Sequence, residues 1–325
     1  MAKARDRISR RRFIKQAALA SAAAALGSAI AKDETATTTA LPCRPYGRDK
    51  IPLSVIGFGG ILVTNAEQTA ANRLVAEAVE RGVNYFDVAP TYGDAENKLG
   101  PALRPHRGKV LLAGKTTDRT RAGAAAQLKR TLERLRTDHL DLYQLHALTD
   151  LQKDVDAAFG KDGAMETFIE ARKAGQVRHL GFSAHSVEAA LAAMDRHDFD
   201  SILFPVNFAT YFKGNFGATV IEKARSKGVT ILALKVLARQ AWPDNDPGRQ
   251  TYSKCWYQPI TDRHEAELAL RFTLSQPVTA AIPPGEEFIF RLALDLATEI
   301  HPIRETELTE LKALADTLSP IFRSG

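Results

Sequence analysis

The sequence predicts an α/β protein, a single-domain (β/α)8 TIM barrel. Eight apolar runs of strand length recur with helical patterns between them, at 53–60, 83–89, 109–115, 141–147, 177–183, 201–207, 229–235 and 278–283. Near-continuous apolar strands that alternate with helices are typical of a closed parallel barrel. The alternative is an open doubly wound sheet, which usually carries a Gly-x-Gly-x-x-Gly turn after its first strand. The chain has no such turn.

The intervening segments have helical periodicity and helix-end signals. One helical face is predicted from Leu128, Leu132 and Leu135, and another from Leu74, Val75, Ala78 and Val79. Three predicted helices end in a cation and a glycine just before a strand, at Arg81-Gly82, Lys173-Ala174-Gly175 and Lys227-Gly228. A cation there faces the negative helix end, and the glycine permits a left-handed turn.

Three segments are predicted to decorate the barrel, which we assign to residues 51–325. Residues 32–50 are a linker and an N-terminal strand, residues 236–262 are a long loop after strand seven, and residues 304–318 are an extra C-terminal helix. Long loops at the carboxyl ends of strands are usually functional.

The basic charge of the chain belongs to its N-terminus. Residues 1–31 hold seven Lys or Arg against Asp6 alone, which accounts for the whole formal charge of +6 and leaves 37 basic and 37 acidic residues elsewhere. A balanced remainder gives no support to nucleic-acid binding.

Residues 1–31 are predicted to be a signal peptide. The segment SRRRFIK (9–15) precedes a short alanine-rich stretch, and Ala29-Ile30-Ala31 supplies small residues for cleavage after Ala31. The pattern resembles a twin-arginine signal, which implies the twin-arginine export machinery as a partner and a periplasmic or otherwise exported protein. The alternative is an amphipathic helix or a membrane anchor, but an anchor needs about 20 strongly apolar residues. No stable anchor is therefore expected. In an oxidising compartment Cys43 and Cys255 could pair, or remain two free thiols.

Three polar residues interrupt otherwise apolar strands near their carboxyl ends, where barrel enzymes place catalytic groups. They are Asp87, Lys115 and His146, and Tyr92 follows just beyond Asp87. Neighbouring strands lie about 5 Å apart, so Asp87 and Lys115 can pair. A cation beside a phenol favours phenolate, so we expect Lys115 to lower the pKa of Tyr92 and make its proton available to a forming alkoxide. His146 can hydrogen-bond the carbonyl oxygen.

Four segments together resemble the aldo-keto reductase superfamily over roughly residues 44–300. They are FDVAPTYG (86–93), LAGKT (112–116), LDLYQLH (140–146) and GFS (181–183). The resemblance implies a catalytic tetrad of Asp87, Tyr92, Lys115 and His146, with Tyr92 as general acid/base. It also implies NADP or NAD as cofactor and a carbonyl, alcohol or sugar substrate.

The cofactor contacts implied by the resemblance follow the family pattern less closely. We assign them to Gly59, Gly60, Ser183, Asn207, Leu234, Lys235, Pro284 and Gly285. Ala184 stands where the family usually has Asn, Pro205 where it has Gln, and Leu234 where it has a stacking aromatic. Trp256 or Tyr257 could supply a ring instead, and His185 could line the pocket. Lys235 could pair with a cofactor phosphate or be solvated at the rim.

The preference between NAD and NADP stays open, with a slight lean to NAD or to relaxed specificity. After strand eight, Pro284 replaces the Lys expected for a 2′-phosphate, and Glu286 and Glu287 add negative charge. The two carboxylates could accept hydrogen bonds from ribose hydroxyls or could cap the next helix.

Two other functions remain as alternatives. One is a non-catalytic barrel that binds a nucleotide or sugar, suggested by the eroded cofactor contacts. The other is a metal-dependent hydrolase or a Schiff-base lyase on the same barrel. No His-x-His pair is present, and Asp87 would keep Lys115 charged, so we predict no metal site.

Overall fold

The computed structural model describes residues 40–324, and the predicted signal peptide lies outside them. The described part begins with an antiparallel hairpin of β1 (Cys43–Tyr46) and β2 (Ile51–Ser54). The predicted N-terminal strand is β1, and the boundary we placed after residue 50 falls in the turn of this hairpin. The hairpin covers the amino-terminal end of the barrel, where the buried hydroxyl of Tyr46 lies 3.2 Å from that of Ser201.

All eight predicted barrel strands are present and run parallel. They are β3 (Phe58–Gly59), β4 (Tyr85–Asp87), β5 (Leu111–Thr116), β6 (Leu140–Leu148), β7 (Val177–Ala184), β8 (Ser201–Pro205) and β9 (Thr230–Leu234), followed after a hairpin of β10 (Ala238–Ala241) and β11 (Tyr257–Pro259) by β12 (Ala280–Ile282). Neighbours in the sheet are neighbours in sequence, apart from the inserted hairpin.

The sheet closes on itself between its first and last strands. Gly57 N donates to the carbonyl of Ala281 at 2.9 Å, and Ala281 N donates to the carbonyl of Val55 at 2.8 Å. Ile56 and Ala281 form the parallel bridge that joins the two edges. The closed (β/α)8 barrel is therefore confirmed, and the open sheet is wrong.

Each barrel strand is followed by a helix that packs outside the sheet. In chain order the helices are α1 (Gln68–Glu80), α2 (Ala95–Leu103), α3 (Arg121–Leu135), α4 (Ala157–Phe159), α5 (Ala164–Lys173), α6 (Val187–Arg196), α7 (Phe208–Phe212), α8 (Ala218–Lys227), α9 (Gly248–Thr251), α10 (Arg263–Ser275), α11 (Glu287–Ala297) and α12 (Glu305–Thr317). The predicted apolar faces of α1 and α3 are buried, with Val79 partly so. The predicted C-terminal helix is α12.

Helix ends follow the sequence signals closely. Gly82 ends the segment after α1 with φ 92°, and Gly228 ends α8 with φ 67°. The backbone at both positions is left-handed, a conformation that residues with a side chain rarely adopt.

The segment after β9, the seventh barrel strand, was predicted as a long loop but contains regular secondary structure. It contains β10, the short helix α9 and β11, and it returns to the carboxyl face of the barrel. The tail after α12 docks on it, because Ala241 N donates to the carbonyl of Ser319 at 2.9 Å. Hairpin and tail thus build one wall of the open end of the barrel. Across residues 40–324, no helix combines the length and apolar character needed to cross a bilayer.

Candidate active site

A cavity of about 320 Å³ opens at the carboxyl ends of the barrel strands. Its wall includes all four predicted catalytic residues, six of the eight predicted cofactor contacts, and several residues from the hairpin and neighbouring loops. The lining residues are Gly59, Ile61, Asp87, Thr91, Tyr92, Lys115, His146, Ser183, His185, Leu203, Leu234, Lys235, Lys254, Trp256, Tyr257, Ile282, Pro283, Pro284 and Gly285. This volume lies at the lower end of the range for small-molecule sites.

Asp87 and Lys115 form an ion pair at the base of the cavity. Asp87 closes β4 and Lys115 lies near the end of the adjacent β5, so parallel pairing brings their side chains together inside the barrel. The side chain of Lys115 is fully buried and that of Asp87 is nearly so. Burial is the largest single influence on the pKa of Lys115 and lowers it, but the interactions with Asp87 and Tyr92 together outweigh burial, so the net pKa lies above its ordinary value. Lys115 is therefore a cation at neutral pH.

Two further side chains hold Asp87, and the sequence analysis missed both. Tyr85 donates its hydroxyl proton to Asp87 Oδ2 at 3.2 Å, and Gln144 Nε2 donates to the same oxygen at 2.8 Å. Both are fully buried. A signal for them was available, because Tyr85 lies two residues before Asp87 and Gln144 two before His146. Residues two apart in a strand face the same side, so both point into the barrel.

Tyr92 follows β4 and leans over the ion pair. The Lys115 ammonium lies 5.2 Å from the centroid of the Tyr92 ring. Burial raises the pKa of Tyr92, and the opposing charge of Lys115 does not cancel this effect, so the net pKa lies above its ordinary value. Our expectation of a lowered pKa is wrong in direction. The reason is that Asp87 neutralises much of the charge of Lys115 while the phenol itself is shielded from water.

His146 stands beside Tyr92 as a neutral ring. The two ring centroids lie 5.9 Å apart at an interplanar angle of 88°. Burial lowers the pKa of His146 to about 3, with a further contribution from the charge of Lys115. Its Nδ1 is buried and makes no hydrogen bond within residues 40–324. A neutral imidazole of this kind can donate one hydrogen bond to a carbonyl oxygen but does not serve as an acid near pH 7.

Six predicted cofactor contacts line the cavity, namely Gly59, Ser183, Leu234, Lys235, Pro284 and Gly285. Gly60 does not: a Cβ atom there would lie 2.7 Å from Val88 Cγ2, so this glycine permits close packing against the end of β4. Asn207 also lies outside the lining. Its Oδ1 accepts from Thr210 N at 2.9 Å, and its Nδ2 donates to the Lys235 carbonyl at 3.1 Å. Both groups of that amide are used inside the protein.

The cavity has features that fit an extended dinucleotide. Ser183 Oγ accepts a hydrogen bond from Ala147 N at 2.7 Å, which leaves its own proton free for a ligand. A second groove of about 760 Å³ adjoins the cavity, and Ile61 and Lys254 line both. One half of a long ligand can therefore occupy the cavity while the other lies in the groove. Lys254, Ser183 and Gly59 line the cavity, and Lys254 also lines the groove.

The acidic segment after β12 is tied into the protein. Glu286 precedes α11, and its Oε1 accepts from Lys254 N at 2.9 Å. Glu287 begins α11 and pairs with Arg291 at 3.2 Å. Arg291 also binds both carboxylate oxygens of Glu77, at 2.8 and 2.9 Å. The guanidinium nearest this segment is thus fully engaged by two carboxylates.

Lys235 is partly buried in the wall of the cavity, where aromatic rings flank it. Its ammonium lies 4.8 Å from the ring centroid of Tyr257 and 5.2 Å from that of Trp256, so the hairpin does bring two rings to the cavity. Burial lowers the pKa of Lys235 to about 8. His185, which we expected could line the pocket, is part of the same wall.

The two cysteines are separate free thiols, Cys43 exposed and Cys255 buried. In the described part of the chain, no group of three or more His, Cys, Asp or Glu side chains is arranged to hold a metal ion.

Comparisons with known proteins agree with this geometry. The model of the aldo/keto reductase family matches residues 55–287. The uncharacterized oxidoreductase YqkF of Bacillus subtilis is 24% identical over 83% of this chain and 95% of its own length. The L-galactose dehydrogenase of Arabidopsis thaliana is 23% identical over 87% of this chain and 94% of its own.

Solved structures share the fold. The holo form of aldo-keto reductase AKR11C1 from Bacillus halodurans superposes with a TM-score of 0.67 at 22% identity, covering 86% of this chain and 98% of that one. At this level of sequence identity the structural similarity shows only that the two proteins share the barrel fold. The family match spans most of the chain and includes every strand of the barrel that bears a tetrad residue. This chain belongs to the aldo/keto reductase family of oxidoreductases.

Proposed function

We propose that the protein reduces a carbonyl group of an aldehyde, ketone or sugar, or oxidises the corresponding alcohol, with NAD or NADP as cofactor. The observation that carries the proposal is the group of Tyr92, Lys115, Asp87 and His146 around one cavity at the carboxyl face of the barrel. A phenol beside a buried, compensated cation is the arrangement that proton transfer to a carbonyl oxygen requires.

Tyr92 is the proton donor in the direction of reduction. When bound, a reduced nicotinamide supplies a hydride to the carbonyl carbon, and is thereby oxidised by two electrons. The Tyr92 hydroxyl breaks its O–H bond and gives the proton to the carbonyl oxygen, which completes the alcohol. Lys115 stabilises the phenolate that remains, and water returns the proton. Because its pKa is raised, Tyr92 is protonated at neutral pH and ready to act as the acid.

His146 and Asp87 assist without exchanging protons with the substrate. The neutral ring of His146 can donate a hydrogen bond to the carbonyl oxygen and so polarise it. Asp87, fixed by Lys115, Tyr85 and Gln144, keeps the ammonium in place beside the phenol. Their contribution is a preorganised field that needs no rearrangement during the reaction.

NAD is the cofactor that the segment after β12 favours. Arg291 is engaged by Glu77 and Glu287, which leaves it little capacity to bind a 2′-phosphate. The carboxylates of this segment would repel a dianion, whereas ribose hydroxyls can donate hydrogen bonds to them. The expected result is a lower Kd for NADH than for NADPH in a fluorescence titration.

A panel of aldehydes, aldoses and polyols tests the proposal, with reduced-nicotinamide absorbance as the readout for each cofactor. Tyr92→Phe should lose about a thousandfold in kcat/KM, since general acid catalysis contributes on the order of 100- to 10,000-fold. Tyr211→Phe is the matched control, because Tyr211 lies on α7, away from the cavity lining. Wild-type protein that binds a nucleotide or sugar but turns over no carbonyl would favour the non-catalytic barrel instead.

We also propose that the protein is exported through the twin-arginine route and cleaved after Ala31, on the basis of the sequence of residues 1–31. Cell fractionation and N-terminal sequencing of the mature protein test this. Replacing Arg10 and Arg11, the two arginines that precede the variable position before Phe13, by Lys should keep the full-length chain in the cytoplasm. Export of that variant at the wild-type level would contradict the route.

A further inference from the structure

The cavity holds a positive charge that no group among residues 40–324 compensates. Three lysines line it, and Asp87 neutralises Lys115. Lys254 donates to the carbonyl of Leu62 at 2.8 Å, at the rim. Lys235 forms no ion pair within the described chain, and its ammonium lies over the aromatic faces of Trp256 and Tyr257. A cation that is partly removed from water and has no counterion raises the free energy of the folded protein. An anionic ligand would supply the missing counterion.

The backbone at Lys235 is strained and is held in place. Lys235 has φ 65°, a left-handed conformation unusual for a residue with a side chain. The fully buried Asn207 donates to its carbonyl at 3.1 Å, and Ala238 N donates to the same oxygen at 3.0 Å. Asn207 is therefore a positioning residue for Lys235. Strain that the surrounding structure maintains at the wall of a cavity is typical of functional positions.

His185 adds an unused polar atom to the same cavity. It follows β7, and its ring stacks on Phe322 of the C-terminal tail with centroids 5.3 Å apart at an angle of 11°. Its Nε2 is buried and has no hydrogen-bond partner in the described chain. Phe322 also meets Trp256 edge to face at 6.0 Å, so the tail joins His185 to the hairpin that carries the rings around Lys235.

We propose that Lys235 and His185 form a subsite for an anionic group of the substrate, a carboxylate or a phosphate, on the carbonyl compound reduced at Tyr92. The inference rests on the proposed function and names the class of substrate. Lys235 binds the anion by charge, and His185 donates one hydrogen bond to it. The aromatic faces keep the ammonium shielded from water, which strengthens its attraction for the anion.

The phosphates of the cofactor are the other source of negative charge. Lys254 lines both the cavity and the adjoining groove, whereas Lys235 lines the cavity alone. A dinucleotide that spans the cavity and the groove passes Lys254, which lines both. This placement favours the substrate as the partner of Lys235.

Matched pairs of substrates test the subsite. The pairs are 4-oxobutanoate with butanal, and glyceraldehyde 3-phosphate with glyceraldehyde, each measured with wild type, Lys235→Met and the exposed control Lys129→Met. Lys235→Met should raise KM for the anionic member of the preferred pair by about tenfold to a hundredfold, because hydrogen bonds to charged groups contribute that much. KM for the neutral member and the Kd for the cofactor should change by less than about twofold.

Each other outcome overturns the subsite. An equal rise of KM for both members would show that Lys235 does not distinguish charged from neutral substrates. A tenfold rise in the cofactor Kd with unchanged substrate preference would assign the ammonium to the cofactor phosphates, on the order of one lost charged contact. Turnover of the neutral aldehyde by Lys235→Met keeps the proposed function separate, since that reaction requires the tetrad and the cofactor but no anion-binding group.

A binding measurement gives a second readout that does not need turnover. Succinate titrated into the wild-type protein should change tryptophan fluorescence, because the ring of Trp256 lies against the Lys235 ammonium. The change should be lost in Lys235→Met and retained in Lys129→Met. Failure of succinate to bind wild type, or equal binding by Lys235→Met, would contradict the subsite. This result can be obtained even if none of the tested carbonyl compounds is turned over.

Discussion

The two halves of the cavity wall are built on different principles. On one side, Asp87, Lys115 and His146 lie on neighbouring barrel strands, and the Asp87–Lys115 pair is internally compensated. On the other side, Lys235 and Trp256 come from the end of β9 and from the hairpin, and the charge of Lys235 is left open to a ligand. We infer that the strand side carries out proton transfer and that the hairpin side selects the substrate.

This difference predicts how each half responds to substitution. Changes on the strand side should cost both stability and turnover, because they leave a buried charge without its partner. Changes on the hairpin side should alter the choice of substrate or cofactor with little loss of turnover. Lys235→Met, described above, probes the hairpin side.

Lys115→Met should give the largest effect. Asp87 would remain buried without its cation, so we expect the free energy of unfolding to fall by about 3–5 kcal/mol, measured by urea denaturation. Turnover should fall by about a thousandfold or more. Adding Asp87→Asn should recover part of the stability and none of the activity. Recovery of both would show that the pair is structural only.

Gln144→Leu should give a smaller effect on the same side. The substitution removes the 2.8 Å hydrogen bond to Asp87 Oδ2 and leaves the Lys115 contact in place. We expect kcat to fall by about tenfold, a loss in keeping with one hydrogen bond to a charged group, and the Kd for the cofactor to stay unchanged. The exposed Gln152→Leu serves as control. A wild-type kcat in Gln144→Leu would mean that Asp87 needs no third partner.

The smallest effect is expected at the cofactor segment. Replacing both Glu77 and Glu287 by Gln should free Arg291 and shift the ratio of Kd values for NADH and NADPH toward NADPH by about threefold to tenfold. The double variant Glu133→Gln and Glu222→Gln removes the same charge from the surface elsewhere. An equal shift in both double variants would show that only net charge matters.

The sequence predicted which residues meet on the strand side, but on the hairpin side it predicted only the lining residues and not their contacts, for a physical reason. Asp87, Lys115 and His146 stand out because each interrupts an apolar strand, and parallel pairing then fixes which of them meet. Tyr85 and Gln144 follow from the two-residue period of the same strands, although we did not use it. Strand geometry is regular enough to carry such inferences.

The hairpin side depends on contacts far apart in sequence. Nothing local indicates that Phe322 stacks on His185, or that Asn207 binds the carbonyl of Lys235 rather than a ligand. The net pKa of Tyr92 likewise depends on burial, which the neighbouring charges alone do not reveal. These features require the folded chain.

The pH dependence of kcat/KM tests the central claim most directly. It is measured for reduction of a neutral aldehyde by wild type and by Tyr92→Phe, from about pH 5 to about pH 11. Reduction requires the protonated phenol, and the pKa of Tyr92 is raised, so wild type should stay on a plateau through neutrality and lose activity only above about pH 10. Tyr92→Phe should lack the plateau. A wild-type inflection near about pH 6–7, or equal rates in the two proteins, would contradict the account.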